Sequence, residues 1–467
     1  MFSRLEVPVK NVILLPEFKE IIKTQNWQLF KEICEDNHPA EIAELISALE
    51  PEEVWELIEK LEISQRAEIF SHLDLSLQIE ITEIIDRRKL AELLTELPSD
   101  DRVDLFKKFP LEKQEYILPA LAQAEREDIR RLASYPEKSA GSVMTSEYVS
   151  LPDNITVQEA INRLRLEAPK KETIYYSYVI NSARQLIGFV SLADLIMANP
   201  NSLIKDIMHE EVIFATVDED QESAAKKIQK YDLIAIPVVN GNHTLVGIIT
   251  HDDALDIITQ EQTEDFEKLM AIGGAHETGV YLKTSVITHF KNRAVWIISL
   301  AALGLLSGII IHNFESTLMS MMILALYMPM VADTGGNTGS QSATVVVRAI
   351  ALGEINFKDS LIVLWKEFRI SVLIALALGV LSWGKVMFLS QGSEIPQGFT
   401  LENIGFAIAI ALSLQVITAT LIGAFLPLLA SRLKLDPAVI ASPALTTIVD
   451  ITGLLIYFTT AKMILGL

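Results

Sequence analysis

One carboxylate, Asp450, lies inside the otherwise uncharged run Pro437–Ala461. A charged side chain at the centre of a membrane-spanning helix costs about 2.5–3.5 kcal/mol on insertion scales, so such residues face a cavity, a partner or an ion path. Helical spacing places Thr446, Thr447 and Gly453 on the face that carries Asp450. This face predicts a cation pathway formed by Asp450 and lined by Thr446 and Gly453. The alternative is a buried Asp bonded to neighbouring hydroxyls for helix packing.

A second polar segment, residues 333–342, interrupts another apolar run. Its glycines Gly335 and Gly339 permit close approach of a neighbouring helix. Asn337 and Gln341 lie one turn apart, where their amides can hydrogen-bond across an interface or hold the water around an ion. We predict that these two amides line the same pathway, with helix–helix packing alone as the alternative.

The chemistry of these runs favours a hard cation. They contain no Cys and no cluster of His with carboxylates, so oxygen atoms are the available ligands. Oxygen ligands favour Mg²⁺ or Ca²⁺ over zinc or copper. Mg²⁺ gives up water reluctantly, so we expect one or two carboxylates to contact a largely hydrated ion. A dimer would bring two copies of Asp450 to one axis, as in the carboxylate rings of cation pores.

Another set of carboxylates lies between residues 220 and 265, before the apolar runs. Within it, Asp253, Asp256 and Glu264 fall near one helical face. Packed carboxylates repel one another when metal is scarce and are bridged when metal is abundant, which makes a two-state element that an ion can bias. The alternative is a solvated acidic face. The members of the set are Asp220, Glu222, Asp232, Asp252, Asp253, Asp256, Glu261, Glu264 and Asp265.

Five long apolar runs predict the elements that position the first group of residues. A membrane span needs about 20 predominantly apolar residues. A buried core helix explains one such run, but not five in succession. The predicted spans are Ala294–Ile311, Ser316–Val347, Ile370–Gly384, Asn403–Ser431 and Pro437–Ala461.

Basic residues in the loops predict the orientation of these spans. With the N-terminus in the cytosol, eight Lys or Arg lie in inside segments and two in outside segments, which fits the excess of positive charge on the cytosolic side. We therefore expect a multi-pass protein of the cell membrane with a cytosolic N-terminus and an external C-terminus. The inside residues are Lys291, Arg293, Arg348, Lys358, Lys366, Arg369, Arg432 and Lys434, and the outside residues are Lys385 and Lys462.

The part before residue 286 holds 29 basic and 52 acidic residues, a net charge of −23, and so accounts for the net charge of −22 of the whole chain. Such a segment repels nucleic acid and anionic lipid, so neither is an expected partner for it. Clustered carboxylates favour hard divalent cations, although an acidic solubilising surface is the alternative. The single cysteine, Cys34, excludes an intramolecular disulfide and fits a reducing compartment.

Three segments precede the spans. Residues 1–139 place Leu, Ile and Val at helical spacing between prolines, which predicts a superhelical array of short helices. Examples are Ala40–Leu49, Glu52–Leu61 and Asp100–Phe109. Residues 140–262 alternate β-rich runs with helical segments, and residues 263–290 predict a connecting helix.

The middle segment is an internal repeat of residues 140–200 in residues 201–262. Val143-Met144 returns as Ile207-Met208, and the ending Gly-strand-Ser-x-x-Asp after Gly188 returns with Thr after Gly247. Each copy reads as βαββα. The pair resembles tandem cystathionine-β-synthase (CBS) modules, an α/β fold.

The whole chain resembles the MgtE family of magnesium channels and transporters. The motifs that carry the resemblance are Tyr-Met-Pro-Met at 327–330, Thr-Gly-Gly-Asn-Thr-Gly-Ser-Gln-Ser-Ala-Thr at 334–344, Leu-Asp-Pro-Ala at 435–438 and Asp-Ile-Thr-Gly-Leu-Leu-Ile-Tyr at 450–457. The resemblance implies a homodimer in the lipid bilayer, with five membrane helices in each subunit and a pore on the two-fold axis. Asp450 looks like the Mg²⁺-selecting aspartate of the family.

The resemblance also implies regulation by cytosolic Mg²⁺. Asp101, with Asp104 as a second candidate, looks like the partner from the N-terminal domain. Bound ions would draw the N-terminal domain, the CBS pair and the connecting plug helix into a closed state, and their loss would open the pore. The other positions that match regulatory Mg²⁺ ligands are Asp220, Glu222, Asp232, Asp253, Asp256, Glu261, Glu264 and Asp265.

The chain departs from the family pattern at several positions. Ser442 stands where some members have Asn, and Asp333, to which we assign no role, stands where at least one has Gly. Tyr176, Ala193 and Leu233 occupy the places of an aromatic residue, an Arg and a Phe that contact ATP in some members. Loss of the Arg removes a phosphate partner, so strong ATP binding beside Tyr176 is not expected.

These patterns predict a Mg²⁺-selective uptake channel, not an enzyme, that cytosolic Mg²⁺ closes. Within transport, the alternative is a Na⁺- or H⁺-coupled divalent cation exchanger. An alternative of a different class is a membrane regulator that senses nucleotides through its CBS pair. That function would need an intact phosphate site or a catalytic constellation, and the sequence shows neither.

Overall fold

The computed structural model describes residues 15–273, 284–393, 395–440 and 443–467. The chain divides into two units, Met1–Thr259 and Gln260–Leu467. Ser442 lies outside the described residues.

The first unit begins with short helices, and proline opens two of them. Pro39 and Pro51 stand in the first helical turn, where the missing N–H has no intrahelical partner to lose. The helices are α1 (Leu15–Thr24), α2 (Trp27–Asp36), α3 (Pro39–Ile46), α4 (Pro51–Ile58), α5 (Ile63–Ser71), α6 (Leu75–Ile84), α7 (Arg87–Glu96), α8 (Ser99–Lys108), α9 (Leu111–Ile117) and α10 (Gln123–Ala133). From α3 to α10, each helix packs on the helix two positions further along the chain. This stacking buries apolar residues one turn apart, such as Ile42 and Ile46, and confirms the predicted superhelical array.

Two three-stranded sheets with one topology follow. In each sheet the first two strands are parallel and the last two antiparallel. The elements of the first copy are β1 (Ser150–Pro152), α11 (Val157–Glu167), β2 (Tyr176–Ile180), β3 (Leu186–Ser191) and α12 (Leu192–Met197). Those of the second are α13 (Ile204–Ile207), β4 (Ala215–Thr216), α14 (Gln221–Tyr231), β5 (Ala235–Val239), β6 (Leu245–Thr250) and α15 (His251–Leu269).

The repeated Met and Gly residues interlock the two copies. A Cβ on Gly247 would come 2.6 Å from the sulfur of Met144, and one on Gly188 would come 2.9 Å from the sulfur of Met208. Each methionine therefore fills the space that a glycine of the other copy leaves open. The methionine and the glycine that recur in the sequence repeat thus form the same packing contact twice, once in each direction between the copies.

The second unit is built from long helices. They are α16 (Val286–Leu303), α17 (Leu305–Asn313), α18 (Glu315–Ser320), α19 (Ile323–Ala351), α20 (Ser360–Leu389), α21 (Leu401–Arg432), α22 (Pro437–Ile440) and α23 (Pro443–Leu465). Within the described ranges, four stretches are long and apolar enough to cross a membrane: Val286–Asn313, Phe357–Leu389, Leu401–Arg432 and Ala444–Leu465. The second predicted span corresponds to α19, a 29-residue helix whose polar segment 333–342 lowers its hydropathy.

The connecting helix predicted at residues 263–290 is not a separate element in the part of the chain that the structure describes. Residues 263–269 complete α15, and residues 286–290 begin α16. Residues 274–283 lie outside the described ranges. A connecting helix between residues 270 and 285 therefore stays a prediction.

Helix α21 is the centre of the second unit, since it packs on α19, α20 and α23. A Cβ on Gly423 of α21 would come 2.2 Å from the carbonyl oxygen of Gly339 on α19. A Cβ on Gly339 would come 3.1 Å from the carbonyl oxygen of Ala419. Backbone thus meets backbone, which confirms the close approach predicted for Gly339.

Replacing Gly423 by Ala is expected to destabilise the second unit, because the added methyl group would force α19 and α21 apart. Overpacking of this kind typically costs about 1–3 kcal/mol. Gly384→Ala is the matched control, because a Cβ there meets nothing within 4 Å. The thermal midpoint of the full chain in detergent, followed by size-exclusion chromatography, measures both. Equal midpoints for the two variants would contradict the proposed backbone contact.

Candidate ion pathway and regulatory carboxylates

Asp450 lies on a partly exposed face of α23. Thr446 and Thr447 are also partly exposed, whereas Val449 and Gly453 are buried. Asp333 of α19 lies near enough for its charge to act on Asp450. The predicted face is therefore divided: Asp450 and the two threonines border accessible space, and Gly453 belongs to the helix interface.

Helix α19 presents a polar row on its exposed side. Asp333, Asn337 and Gln341 are four residues apart and all exposed, while Gly335 and Gly339 are buried on the other side. Hydrocarbon offers these groups no hydrogen bonds, so in a membrane the row needs water or protein beside it. Asp333 thus joins Asn337 and Gln341 as a pathway candidate, a role the sequence did not assign.

Gln415 is a polar residue of the site that the sequence did not single out. It lies in the middle of α21 and is fully buried. Its Nε2 donates a hydrogen bond of 2.9 Å to the carbonyl oxygen of Val449, the residue before Asp450. Among the described residues its Oε1 has no hydrogen-bond partner. The signal in the sequence was a lone amide within residues 404–431, which otherwise contain no long polar side chain.

A lysine holds two carboxylates together within the second unit. Lys268 Nζ lies 2.8 Å from Glu264 Oε1 and 3.0 Å from Asp436 Oδ2. Burial lowers the pKa of Lys268, but the hydrogen bonds and charges of Glu264 and Asp436 outweigh it and raise the pKa above its ordinary value. The Lys268 side chain thereby ties the end of α15 to the residue that precedes α22.

The start of α8 carries carboxylates toward the first turn of α15. Ser99 fixes this start, because its Oγ lies 2.9 Å from Thr145 Oγ1 and accepts a bond of 2.8 Å from the Ser146 amide. The carboxylates of Asp100 and Asp101 then face the charge of Asp253. Asp100 Oδ1 is buried and has no hydrogen-bond partner among the described residues. The fold thus brings together Asp101 and Asp253, two of the residues predicted as regulatory Mg²⁺ ligands.

The carboxylates of this cluster raise one another's pKa values. Burial is the largest cause for each. Together with repulsion from Asp253, burial raises the pKa of Asp101 to about 7. Burial and repulsion from Asp253 also raise the pKa of Glu172 to about 7. The pKa of Asp253 rises to about 6, although a bond from the Thr250 hydroxyl opposes the rise. The pKa of Asp104 also rises, chiefly by burial. Glu172 and Asp100 are members of the cluster that the sequence analysis did not single out. Both lie far along the chain from Asp253, so helical spacing around Asp253 does not reveal them.

Other predicted ligands lie apart from this cluster or already have partners. Asp220 is exposed and caps α14, where it accepts a bond of 3.3 Å from the Ser223 amide. Glu222 pairs with Lys226 at 2.6 Å. Asp232 ends α14 in the left-handed conformation. Asp256 is exposed but lies near enough for its charge to raise the pKa of Asp253, and Glu261 and Asp265 make further interactions.

The clusters supply individual carboxylate ligands, but among the described residues they do not form a complete coordination sphere. Within the described ranges, no three His, Cys, Asp or Glu residues are arranged to hold a metal ion by themselves. Mg²⁺ is usually bound through one or two carboxylates and several waters, so this arrangement fits Mg²⁺ better than zinc. The unpaired oxygen of Asp100 and the mutual repulsion at Asp253 make this the cluster that gains most from a divalent ion.

The predicted nucleotide position holds an aromatic stack. Tyr176 packs edge-to-face on Phe189, which stacks on His209 at 5.0 Å. His209 Nε2 lies 3.1 Å from Asp194 Oδ2. Ala193 is exposed and supplies no charge to a phosphate. The stack therefore offers surface for a planar ring but supplies no phosphate partner at residue 193.

Comparison with known proteins assigns the chain to a family. A divalent cation transporter domain of the MgtE type matches residues 328–460, the MgtE intracellular N domain matches 37–138, and CBS domains match 140–201 and 204–260. The chain is 37% identical over 374 residues to the magnesium transporter MgtE of Bacillus subtilis, covering 80% of each chain. It is 38% identical over 340 residues to that of Thermus thermophilus, covering 73% of each. The chain belongs to the MgtE family.

The soluble part of a solved magnesium transporter agrees with this MgtE assignment in the first half of the chain. The soluble part of a magnesium transporter is 31% identical, with a TM-score of 0.50, and covers 55% of this chain and 99% of that one. The cytosolic domain of the Mg²⁺ channel MgtE in complex with ATP is 34% identical, with a TM-score of 0.49 and coverage of 51% and 98%. The predicted fold class is confirmed: a helical N-terminal domain, a CBS pair and C-terminal apolar helices.

The stability of residues 15–270 of this MgtE chain should depend on pH through the carboxylate cluster. Raised pKa values mean that the folded state binds these protons more tightly than the unfolded chain. The contribution to stability is complete below the ordinary values near 4 and is lost as pH rises through about 6–7. For a fragment of residues 1–270 in buffer that contains a metal chelator, we expect the thermal midpoint to decrease as the pH is raised from 5 to 8. A domain of this size shifts by ~2–4 °C per kcal/mol.

At pH 8, millimolar Mg²⁺ should raise the thermal midpoint back toward its value at pH 5, because the ion binds the folded state. Asp253→Asn with Glu172→Gln should flatten the pH profile and reduce the Mg²⁺ shift. A flat profile in the unaltered fragment would contradict the repulsion between these carboxylates.

Proposed function

We propose that this MgtE chain is a Mg²⁺-selective channel for Mg²⁺ uptake that cytosolic Mg²⁺ closes. The observation that carries the proposal is the position of Asp450. It lies beside accessible space in an otherwise apolar unit, next to the exposed row Asp333, Asn337 and Gln341. Relatives that align with most of the chain are named magnesium transporters, which supports Mg²⁺ as the substrate.

Conduction requires an ion site that binds without fully dehydrating Mg²⁺. Asp450 supplies a negative oxygen, Thr446 and Thr447 supply hydroxyls, and the row on α19 supplies further oxygens. The water molecules bound to a largely hydrated ion can hydrogen-bond to these groups in turn, so the ion does not have to lose its inner hydration shell. Binding then remains weak enough to permit release on the other side.

A second copy of the chain supplies the cover that the exposed row needs. Lipid cannot satisfy three polar side chains at membrane depth. A homodimer with Asp450 near its axis encloses the row and places two carboxylates around one path. The apolar outer residues of α16, such as Ile297 and Ile298, are exposed and remain available to lipid.

The loops support the proposed orientation. Arg348, Lys358 and Arg432 come together at one end of the second unit, where Arg432 lies 4.5 Å from the ring centre of Phe357. Lys385 lies toward the end of α20, 3.9 Å from the sulfur of Met330. Positive charge gathers on the cytosolic side, so the N-terminus is cytosolic and the C-terminus external in a multi-pass protein of the cell membrane.

Closure follows from relief of repulsion. At low Mg²⁺ the negative charges of Asp101, Asp253 and Glu172 push α8 away from α15. Bound Mg²⁺ would neutralise them and favour the packed state, which is the conformation that binds it better. Lys268 already serves this purpose for Glu264 and Asp436, so the α8 cluster, rather than Glu264, is the main sensor in this proposal.

Two other functions account for less of the structure. Coupled exchange would use the same pathway, but flux that persists without a Na⁺ or H⁺ gradient separates a channel from it. A nucleotide-sensing regulator would use the stack around Tyr176, where Ala193 leaves one phosphate contact missing. ATP titration of the fragment 1–270 tests that alternative.

Asp450→Ala is expected to abolish most Mg²⁺ uptake in cells that lack other Mg²⁺ systems. Loss of one charged contact costs up to about 3 kcal/mol, which corresponds to roughly 100-fold in rate or affinity. Glu402→Gln, an exposed carboxylate in the first turn of α21, serves as the control and should transport normally. Uptake by Asp450→Ala equal to that of the control would refute the proposed pathway.

Neutralising the sensor should leave the channel open. Asp101→Asn combined with Asp253→Asn is expected to keep uptake high when internal Mg²⁺ is high, because the cluster no longer attracts the ion. The control is Glu112→Gln combined with Glu210→Gln, two exposed carboxylates with the same change in charge. Normal closure in the Asp variant would rule out this cluster as the sensor.

A further inference from the structure

Gln415 occupies the point where three membrane helices meet. A Cβ on Gly335 of α19 would come 2.4 Å from its Nε2, and a Cβ on Gly453 of α23 would come 2.5 Å from the same atom. The side chain itself belongs to α21 and is fully buried. Two glycines on different helices therefore leave space for one amide, and any larger residue at either position would displace it.

The amide is satisfied on one side only. Its nitrogen donates to the carbonyl oxygen of Val449, and because a carbonyl only accepts, this bond fixes which end of the amide is nitrogen. The oxygen is then turned away from Val449 and has no partner among the described residues. A buried acceptor without a partner costs about 1–3 kcal/mol. Such a group in a native protein calls for a ligand, water or ion that uses it.

The amide is packed between the two helices that carry the pathway carboxylates, on the buried side of α19. Val449 precedes Asp450, and Gly335 follows Asp333 by two residues. The charges of these two carboxylates act on each other across the same interface. The amide therefore lies at the same level along α19 and α23 as Asp333 and Asp450.

We propose that Gln415 is a water-mediated ligand of the transported cation. Its Oε1 accepts a hydrogen bond from a water molecule in the hydration shell of an ion held at Asp450, while Nε2 keeps the amide oriented. A hydrated divalent cation presents strongly polarised O–H donors, which an amide oxygen can accept. This inference rests on the proposed conduction through Asp450.

Two substitutions of similar size separate the acceptor from the donor. Gln415→Met removes both, whereas Gln415→Glu keeps oxygen acceptors and loses the donor to Val449. Thr420→Val is the matched control on α21, because the buried Thr420 hydroxyl bonds only to the Val416 carbonyl of its own helix among the described residues. Size-exclusion chromatography of each purified full-length variant measures its folded fraction.

The experiment measures Mg²⁺ flux into proteoliposomes over a range of Mg²⁺ concentrations. Gln415→Met is expected to raise KM for Mg²⁺ by roughly tenfold, the loss of about 1.4 kcal/mol from one polarised hydrogen bond. Gln415→Glu should return KM to near the original value, and Thr420→Val should not change it. Block by hexaamminecobalt(III), which presents N–H donors in place of bound water, should weaken in Gln415→Met alone.

Two results would overturn the inference. An unchanged KM in folded Gln415→Met would show that the oxygen is not used. A defect in Gln415→Glu equal to or larger than that of Gln415→Met would show that only the bond to Val449 matters. Asp450→Ala is measured in parallel: if it transports normally, the pathway itself is wrong, whereas normal Gln415→Met beside inactive Asp450→Ala removes only the role of Gln415.

Discussion

A negative charge in a place with little water must find a cation or carry a large cost, and this constraint shapes both units of the chain. In the second unit it concerns Asp450, which lies among apolar helices beside the charge of Asp333. In the first unit it concerns Asp100, Asp101 and Asp253, whose burial and mutual repulsion raise their pKa values. The same carboxylate chemistry thus underlies both the proposed site of passage and the proposed site of control.

The chain answers this constraint in two different ways. Between Glu264 and Asp436 it supplies its own cation, Lys268, and the contact needs no metal. Around Asp253 the structure shows a bond from Thr250 and negative neighbours, so an external ion has most to contribute there. The proposed sensitivity to Mg²⁺ depends on this difference, because a contact that a lysine already completes gains little from a divalent ion.

Small residues determine how closely the membrane helices can present their polar groups. Gly339 and Gly423 bring the backbones of α19 and α21 into contact. Gly335 and Gly453 close around the amide of Gln415, whose nitrogen holds the turn before Asp450. Since interior packing resists small displacements, this contact fixes the height of Asp450 in the unit. The pathway is therefore defined by backbone contacts as much as by the residues that line it.

The sequence by itself determined the fold class and the repeat and marked Asp450 as a candidate, because hydrophobic period, apolar run length and an isolated charge are local properties of a chain. It also gave Asp101 and Asp253 as candidates through the family resemblance. Only the tertiary structure joined Asp100 and Glu172 to Asp253, separated Asp220 and Asp232 from them, placed Gly453 in an interface and singled out Gln415. The physical reason is that burial, repulsion and an unpaired oxygen arise from neighbours far apart in the chain, which spacing along one helix does not encode.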